Sequence, residues 1–158
     1  MGTRRGQPIG IELVRRGIVT EQDIDKALEY QKSHPNKKIG DILDILKLCD
    51  SQTLISEIGD ILDEKAIYLQ ENDLKINALE YMSLDIMKQN KAIPFDIASG
   101  RIKVCFADTS NKRAMDTIRL LLLNKGLVMD KYITFKNNIL NIIRSLDGSV
   151  SDNINTNA

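Results

Sequence analysis

In residues 8–31, PIGIELVRRGIVTEQDIDKALEYQ, apolar positions recur at helical spacing in two runs separated by a glycine. The first run, residues 9–16, reads as a short helix closed by Gly17, because glycine takes left-handed backbone at a helix C-terminus without a Cβ penalty. Thr20 then caps a second helix, with Asp23 three residues on to complete a capping-box pattern. On that helix Ile24, Ala27, Leu28 and Gln31 fall at i, i+3, i+4 and i+7, so the apolar stripe ends on an amide. A covered amide needs a partner, which is either water or a turn at the rim, or a ligand.

About thirty residues on, the pattern returns in residues 38–61, KIGDILDILKLCDSQTLISEIGDI. Ile9 aligns with Ile39, Gly10 with Gly40, Leu13 with Leu43, Ile18 with Leu48, Thr20 with Asp50, Ile24 with Leu54 and Leu28 with Ile58. A duplicated helix pair follows, with those large apolar positions, Ile18 and Leu48 apart, as its core. Three positions change character, since Asp44 stands for Val14, Lys47 for Gly17 and Ile61 for Gln31. A left-handed lysine costs about 1 kcal/mol, so either that strain is carried or the second turn is built differently. Gly59, inside the fourth helix, points to close packing or a kink.

Beyond residue 65 the period changes. Residues 66–70 read as a strand or extended linker, and residues 76–89 as one amphipathic helix with Leu79, Met82, Ile86 and Met87 on its face. Residues 91–97 read as a strand in which Pro94 implies an edge position or a bulge. A turn at residues 98–100 leads to an alternating strand over residues 101–107, and so to a hairpin. Residues 108–111 offer several helix caps, Asp108 among them, for a helix over residues 112–124 that Gly126 stops. A third strand over residues 127–134 and a closing helix over residues 135–146 complete the set. The fold class is α+β, an N-terminal helical lobe of duplicated helix pairs followed by a small three-stranded sheet packed with helices. The division is a flexible N-terminus at 1–7, the duplicated lobe at 8–65, the α+β lobe at 66–146 and a disordered tail or truncated linker at 147–158.

Composition narrows the chemistry. The 22 basic and 22 acidic side chains cancel, which gives no electrostatic case for nucleic acid or an anionic membrane as partner. No apolar run is long enough to span a bilayer, and no signal peptide is evident, so a cytoplasmic address is expected. Cys49 and Cys105 each lie in an apolar segment and read as small core residues. His34, the single histidine, stands in a loop with no catalytic set around it, and no metal-ligand spacing is present. There is no GxxxxGK[ST] phosphate loop, so ATP hydrolysis is not expected. Arg15, Arg16 and the charged residues 23–26 read as solvated helix faces or a docking rim.

The paired motifs, apolar–Gly, two more apolar residues, a Gly followed by two apolar residues, then apolar residues and Gln at helical spacing, resemble the N-terminal domain of type II secretion and type IV pilus assembly ATPases. The "AIPF" strand and "FADTS" turn of the second half echo the same domain, and the resemblance covers roughly residues 8–146. It implies a non-catalytic domain that docks a motor or effector, with a membrane-platform component or a fused C-terminal effector domain as protein partner. In the MshEN branch the paired motifs bind cyclic di-GMP, which makes a sensor the alternative function and this dinucleotide the one ligand implied. The positions that would carry a ligand are Ile9, Gly10, Leu13, Val14, Gly17, Ile18, Gln31, Lys38, Ile39, Gly40, Asp41 and Leu43. Pro8 replaces the family's leading Arg in the first motif and Lys38 replaces it in the second. The expectation is therefore that cyclic di-GMP binds weakly or not at all, with Arg4 and Arg5 as the nearest substitutes in sequence.

Overall fold

The computed structural model describes the backbone of residues 7–107 and 110–157 and the side chains of residues 9–107 and 110–148. The chain divides into two compact units, Met1–Tyr68 and Leu69–Ala158.

In the first unit, helices α1 (Gln7–Arg15), α2 (Glu21–Ser33), α3 (Ile39–Ile45) and α4 (Ser51–Leu62) form the two helix pairs. α2 packs on α3, and α1, α3 and α4 pack on one another. α1 begins at Gln7, earlier than the apolar period suggests, because Pro8 in a first turn forfeits no intrahelical hydrogen bond. Thr20 and Asp23 form the expected capping box, and Asp50 caps α4 by accepting from the Thr53 N–H at 3.0 Å.

Both pairs turn through the same bonds. Gly17 N–H donates to Val14 O and Ile18 N–H to Leu13 O, and in the second copy Lys47 N–H donates to Asp44 O and Leu48 N–H to Leu43 O. This is the Schellman pattern twice, and it forces the residue in the middle into left-handed backbone. Gly17 takes it at φ +75° and Lys47 at φ +53°, so the second copy carries the strain rather than building another turn.

Asp44, opposite Val14 in the alignment, is only 2% exposed. Its carboxylate accepts from the Ser51 hydroxyl, and the Lys47 ammonium lies 3.7 Å away. A buried carboxylate stripped of a partner is costly, whereas an apolar residue of similar size in its place often is not. Ser51→Ala is thus expected to lower stability by about 1 to 3 kcal/mol, while Asp44→Val, which restores the first copy's residue, changes it by less than about 1 kcal/mol or raises it. Urea denaturation of both variants checks the pair.

Leu13, Ile39, Leu43, Leu54 and Ile58 are buried as expected, but Ile9, Ile24 and Leu28 are only half-buried, and Val19, Ala27, Ile42 and Ile55 complete the core. Gly59 is fixed by close approach. A Cβ there would lie 2.7 Å from both the Glu64 carbonyl oxygen and the Ala66 Cβ, where the chain doubles back after the left-handed Asp63.

Residues 66–70, which straddle the division, form no regular strand, and in the second unit a 3₁₀ turn (Glu71–Asp73) precedes α5 (Ile76–Leu79) and α6 (Leu84–Asn90). The single helix expected over residues 76–89 is thus broken. Ser83 is extended and accepts from the Ile86 N–H at 3.2 Å, an N-cap hidden inside a continuous apolar period. Strands β1 (Ala92–Ala98) and β2 (Arg101–Phe106) form the hairpin, with Ser99 and Gly100 both at positive φ, as a two-residue type I′ turn requires. β1 is an edge strand whose register shifts between Pro94 and Asp96, so proline sits where a missing N–H is tolerated.

Helix α7 (Lys112–Leu123) crosses to β3 (Val128–Ile133), which pairs parallel to β2, giving the order β1-β2-β3. Its cap is Asn111, which accepts from the Ala114 N–H; Asp108 and Thr109 lie outside the described residues. Helix α8 (Lys136–Asn157) continues well past residue 146, so the backbone of residues 147–157 is helical where composition suggested disorder. The core of this unit includes Ile93, Ile102, Phe106, Ile118, Leu122 and Ile139. Among the described residues no helix is long and apolar enough to cross a membrane.

Candidate functional site

The twelve motif residues separate by position. Leu13 and Leu43 are fully buried, and Ile39, Gly10 and Gly40 are buried too, so these five form contacts between helices. Ile9, Val14, Ile18, Gln31 and Asp41 are half-buried, and Gly17 and Lys38 are exposed on the turn and at the N-cap position of α3. The Gln31 amide has found its partner within the chain, its Nε2 donating to the Lys37 carbonyl at 2.8 Å and closing the loop over residues 32–37.

Gly10 and Val14 line a groove of about 330 Å³ between α1 and the start of α2, together with Ile11, Glu21, Ile24 and Asp25. Gly10 lies against Ile24 on its floor: a Cβ on Gly10 would come 3.4 Å from the Ile24 Cδ1, an ordinary packing distance. Its rim is acidic. The N-terminus of α2, where partial positive charge would welcome a phosphate, already holds Glu21 and Asp23, and the Asp23 carboxylate accepts from the Thr20 N–H at 2.9 Å. Sharing Asp25 with this groove, a more open concavity of about 740 Å³ lies further along α2, lined also by Lys26, Glu29, Tyr30, Leu46 and Leu48.

Arg16 is the functional-looking residue whose role sequence reasoning missed. On its solvated face its guanidinium joins α1 to α4 by donating to Glu12 at 3.0 Å, Glu57 at 2.9 Å and Asp60 at 2.8 Å. The bonds to Asp60, Glu57 and Glu12, in that order, raise its pKa above the ordinary arginine value. The three carboxylates engage its Nε–H and both Nη1–H donors and neutralise its charge, so a phosphate would have to compete with them for this cation. The Glu57/Asp60 pair at i, i+3 on α4 is the one sequence feature that hinted at it. Arg15 is exposed and lies 3.4 Å from Glu12, and Arg4 and Arg5 fall outside the described residues.

His34 stands in the loop after α2, as expected, but is half-buried there. It ends α2, stacks on Tyr30 with centroids 4.1 Å apart, and its Nδ1 lies 3.0 Å from the Tyr30 carbonyl, which fixes the proton on Nδ1. Cys105 is buried and Cys49 half-buried, both free, and desolvation pushes both thiols up. Among the described residues no group of His, Cys, Asp and Glu is placed to hold a metal ion.

Comparison with known proteins adds the following. The family model described as MshEN domain matches residues 63–152. This stretch holds the sheet-bearing unit and leaves the paired helical motifs outside it. Among solved structures, that of MshE with cdg, cyclic di-GMP, matches with a TM-score of 0.60 at 19% identity, covering 87% of this chain and 96% of that one. The N-terminal domain of XpsE matches with a TM-score of 0.53 at 20% identity, covering 86% and 91%. At such identities these two likenesses speak for the fold. No curated protein matches the chain. With more than half of its 158 residues matched by the family model, the chain belongs to the MshEN domain family.

Proposed function

We propose that this chain is a non-catalytic regulatory and protein-interaction domain, which docks a motor or effector onto a partner such as a membrane-platform component, at the cytoplasmic side. The observation that carries this reading is the charge of the first-motif groove. Its six lining residues comprise four without charge and two carboxylates, Glu21 and Asp25, with no base among them. A dinucleotide carries two phosphate charges and needs cations or free N–H donors where they sit. Here Arg16 is already paired with three acids, the α2 N-terminus holds its own carboxylates, and Pro8 stands where the family has Arg.

The alternative, a cyclic di-GMP sensor, has two observations in its favour, the match to the MshEN domain family and the likeness of fold to MshE, which was solved with that ligand. Losing one charge-assisted hydrogen bond is worth about 1.5 to 3 kcal/mol, or roughly one to two decades in affinity, and the losses compound. Titration calorimetry at low salt is expected to show weak binding or none. Submicromolar binding that disappears on Gln31→Ala or Lys38→Ala would overturn the docking reading in favour of the sensor.

A further inference from the structure

We infer that the groove between α1 and the start of α2 receives a basic amphipathic helix of a partner protein. The inference rests on the docking reading and names the chemistry of its partner. The groove has an apolar floor in Gly10, Val14 and Ile24, and at its mouth Ile11 is 61% exposed, more than any other large apolar side chain described in this unit. Apolar surface held out in this way beside a concave floor suits the knobs of a helix laid into it, at i and i+3 or i+4.

The rim decides the charge of that helix. Glu21 and Asp25 stand one turn apart on α2, both exposed, and among the described residues neither is drawn into an ion pair. Glu29 continues the same line a further turn on, where Lys32 meets it at 3.2 Å. Two carboxylates at this spacing face lysines or arginines along the flank of an incoming helix, and repel an acidic one. They argue equally against a second copy of this chain, because a two-fold contact on this face would set Glu21 and Asp25 against their own counterparts.

Fluorescence anisotropy on the full chain tests the inference. The probes are labelled synthetic peptides of about 18 residues, long enough for a helix, with leucines at helical spacing and lysines on both flanks. A scramble of equal composition and a version with glutamate for lysine are the controls. The basic amphipathic peptide is expected to bind at least tenfold more tightly than either control, and to weaken roughly tenfold in the Glu21→Gln/Asp25→Asn variant and in Ile11→Ser. Its binding should also fall between about 0.05 M and about 0.5 M salt, as rim charges require. Equal binding of the scramble, or no loss in the charge variant while circular dichroism shows it folded, would overturn the groove assignment. Cyclic di-GMP, run in parallel, separates the two levels. Submicromolar binding of the dinucleotide would remove the docking reading itself, whereas silence there with unselective peptide binding would remove only the groove.

Discussion

Asn138→Ala is expected to lower the stability of the Leu69–Ala158 unit by about 3 to 6 kcal/mol, as much as many domains possess in total. Asn138 lies in the first turn of α8 and is 3% exposed. Its Nδ2 donates to the Leu69 carbonyl at 3.0 Å, while its Oδ1 accepts from the Leu69 N–H at 2.8 Å and from the Thr134 hydroxyl at 2.6 Å. One side-chain amide thus satisfies both backbone groups of a residue that is itself 2% exposed, as a neighbouring strand would. Removing it leaves three buried polar groups unpaired, at about 1 to 3 kcal/mol each and not strictly additive. Thr134→Val, which removes only one of the three partners, should cost about 1 kcal/mol. An Asn138→Ala midpoint in denaturant within about 1 kcal/mol of wild type would show that the amide anchors nothing.

Leu43→Ala carries the second large effect, a loss of about 2 to 5 kcal/mol from the Met1–Tyr68 unit. Leu43 is fully buried in α3, which packs against α1, α2 and α4, and its carbonyl accepts the Leu48 N–H that closes the turn. The cavity would open where three helices meet, and none can close over it without moving the others. Leu28, half-buried on the α2 stripe, should cost less when truncated. Unfolding followed by a probe in this unit would measure both, and equal losses at the two positions would contradict this assignment of the core.

The helix pairs, the first Schellman turn, the hairpin and the three strands were legible because each is written in local grammar. Gly17, Thr20 with Asp23, Asp50 and Ser99-Gly100 declare their backbone without help from distant residues. Lys47 was harder. Its side chain argues against left-handed backbone, but the hydrogen bonds of the turn prevail over a strain of about 1 kcal/mol. The break at Ser83 was hidden because the apolar period runs through it, so only the serine itself marked the boundary between α5 and α6. In residues 147–157 a polar, glycine-containing composition concealed helical backbone that continues from α8.

The site was less legible than the fold, since its deciding contacts join residues far apart. Arg16 meets Glu57 and Asp60 across more than forty positions, and Asn138 meets Leu69 across 69. Periodicity carries no record of such pairings. Gln31 was correctly seen to need a partner, but whether a ligand or the Lys37 carbonyl supplied it depended on how residues 32–37 loop back. The first groove itself likewise appears only when α1 is laid beside α2, although both of its carboxylates lie on α2.

Heteronuclear NMR of the full chain titrated with cyclic di-GMP tests the central claim most directly, because the backbone N–H groups of Gly10, Gly17 and Gly40 report on both motifs at once. The account predicts that their resonances stay in place at equimolar dinucleotide at low salt, and shift, if at all, only at large excess and without saturating. Saturable shifts of all three at equimolar ligand, lost in Gln31→Ala, would contradict it.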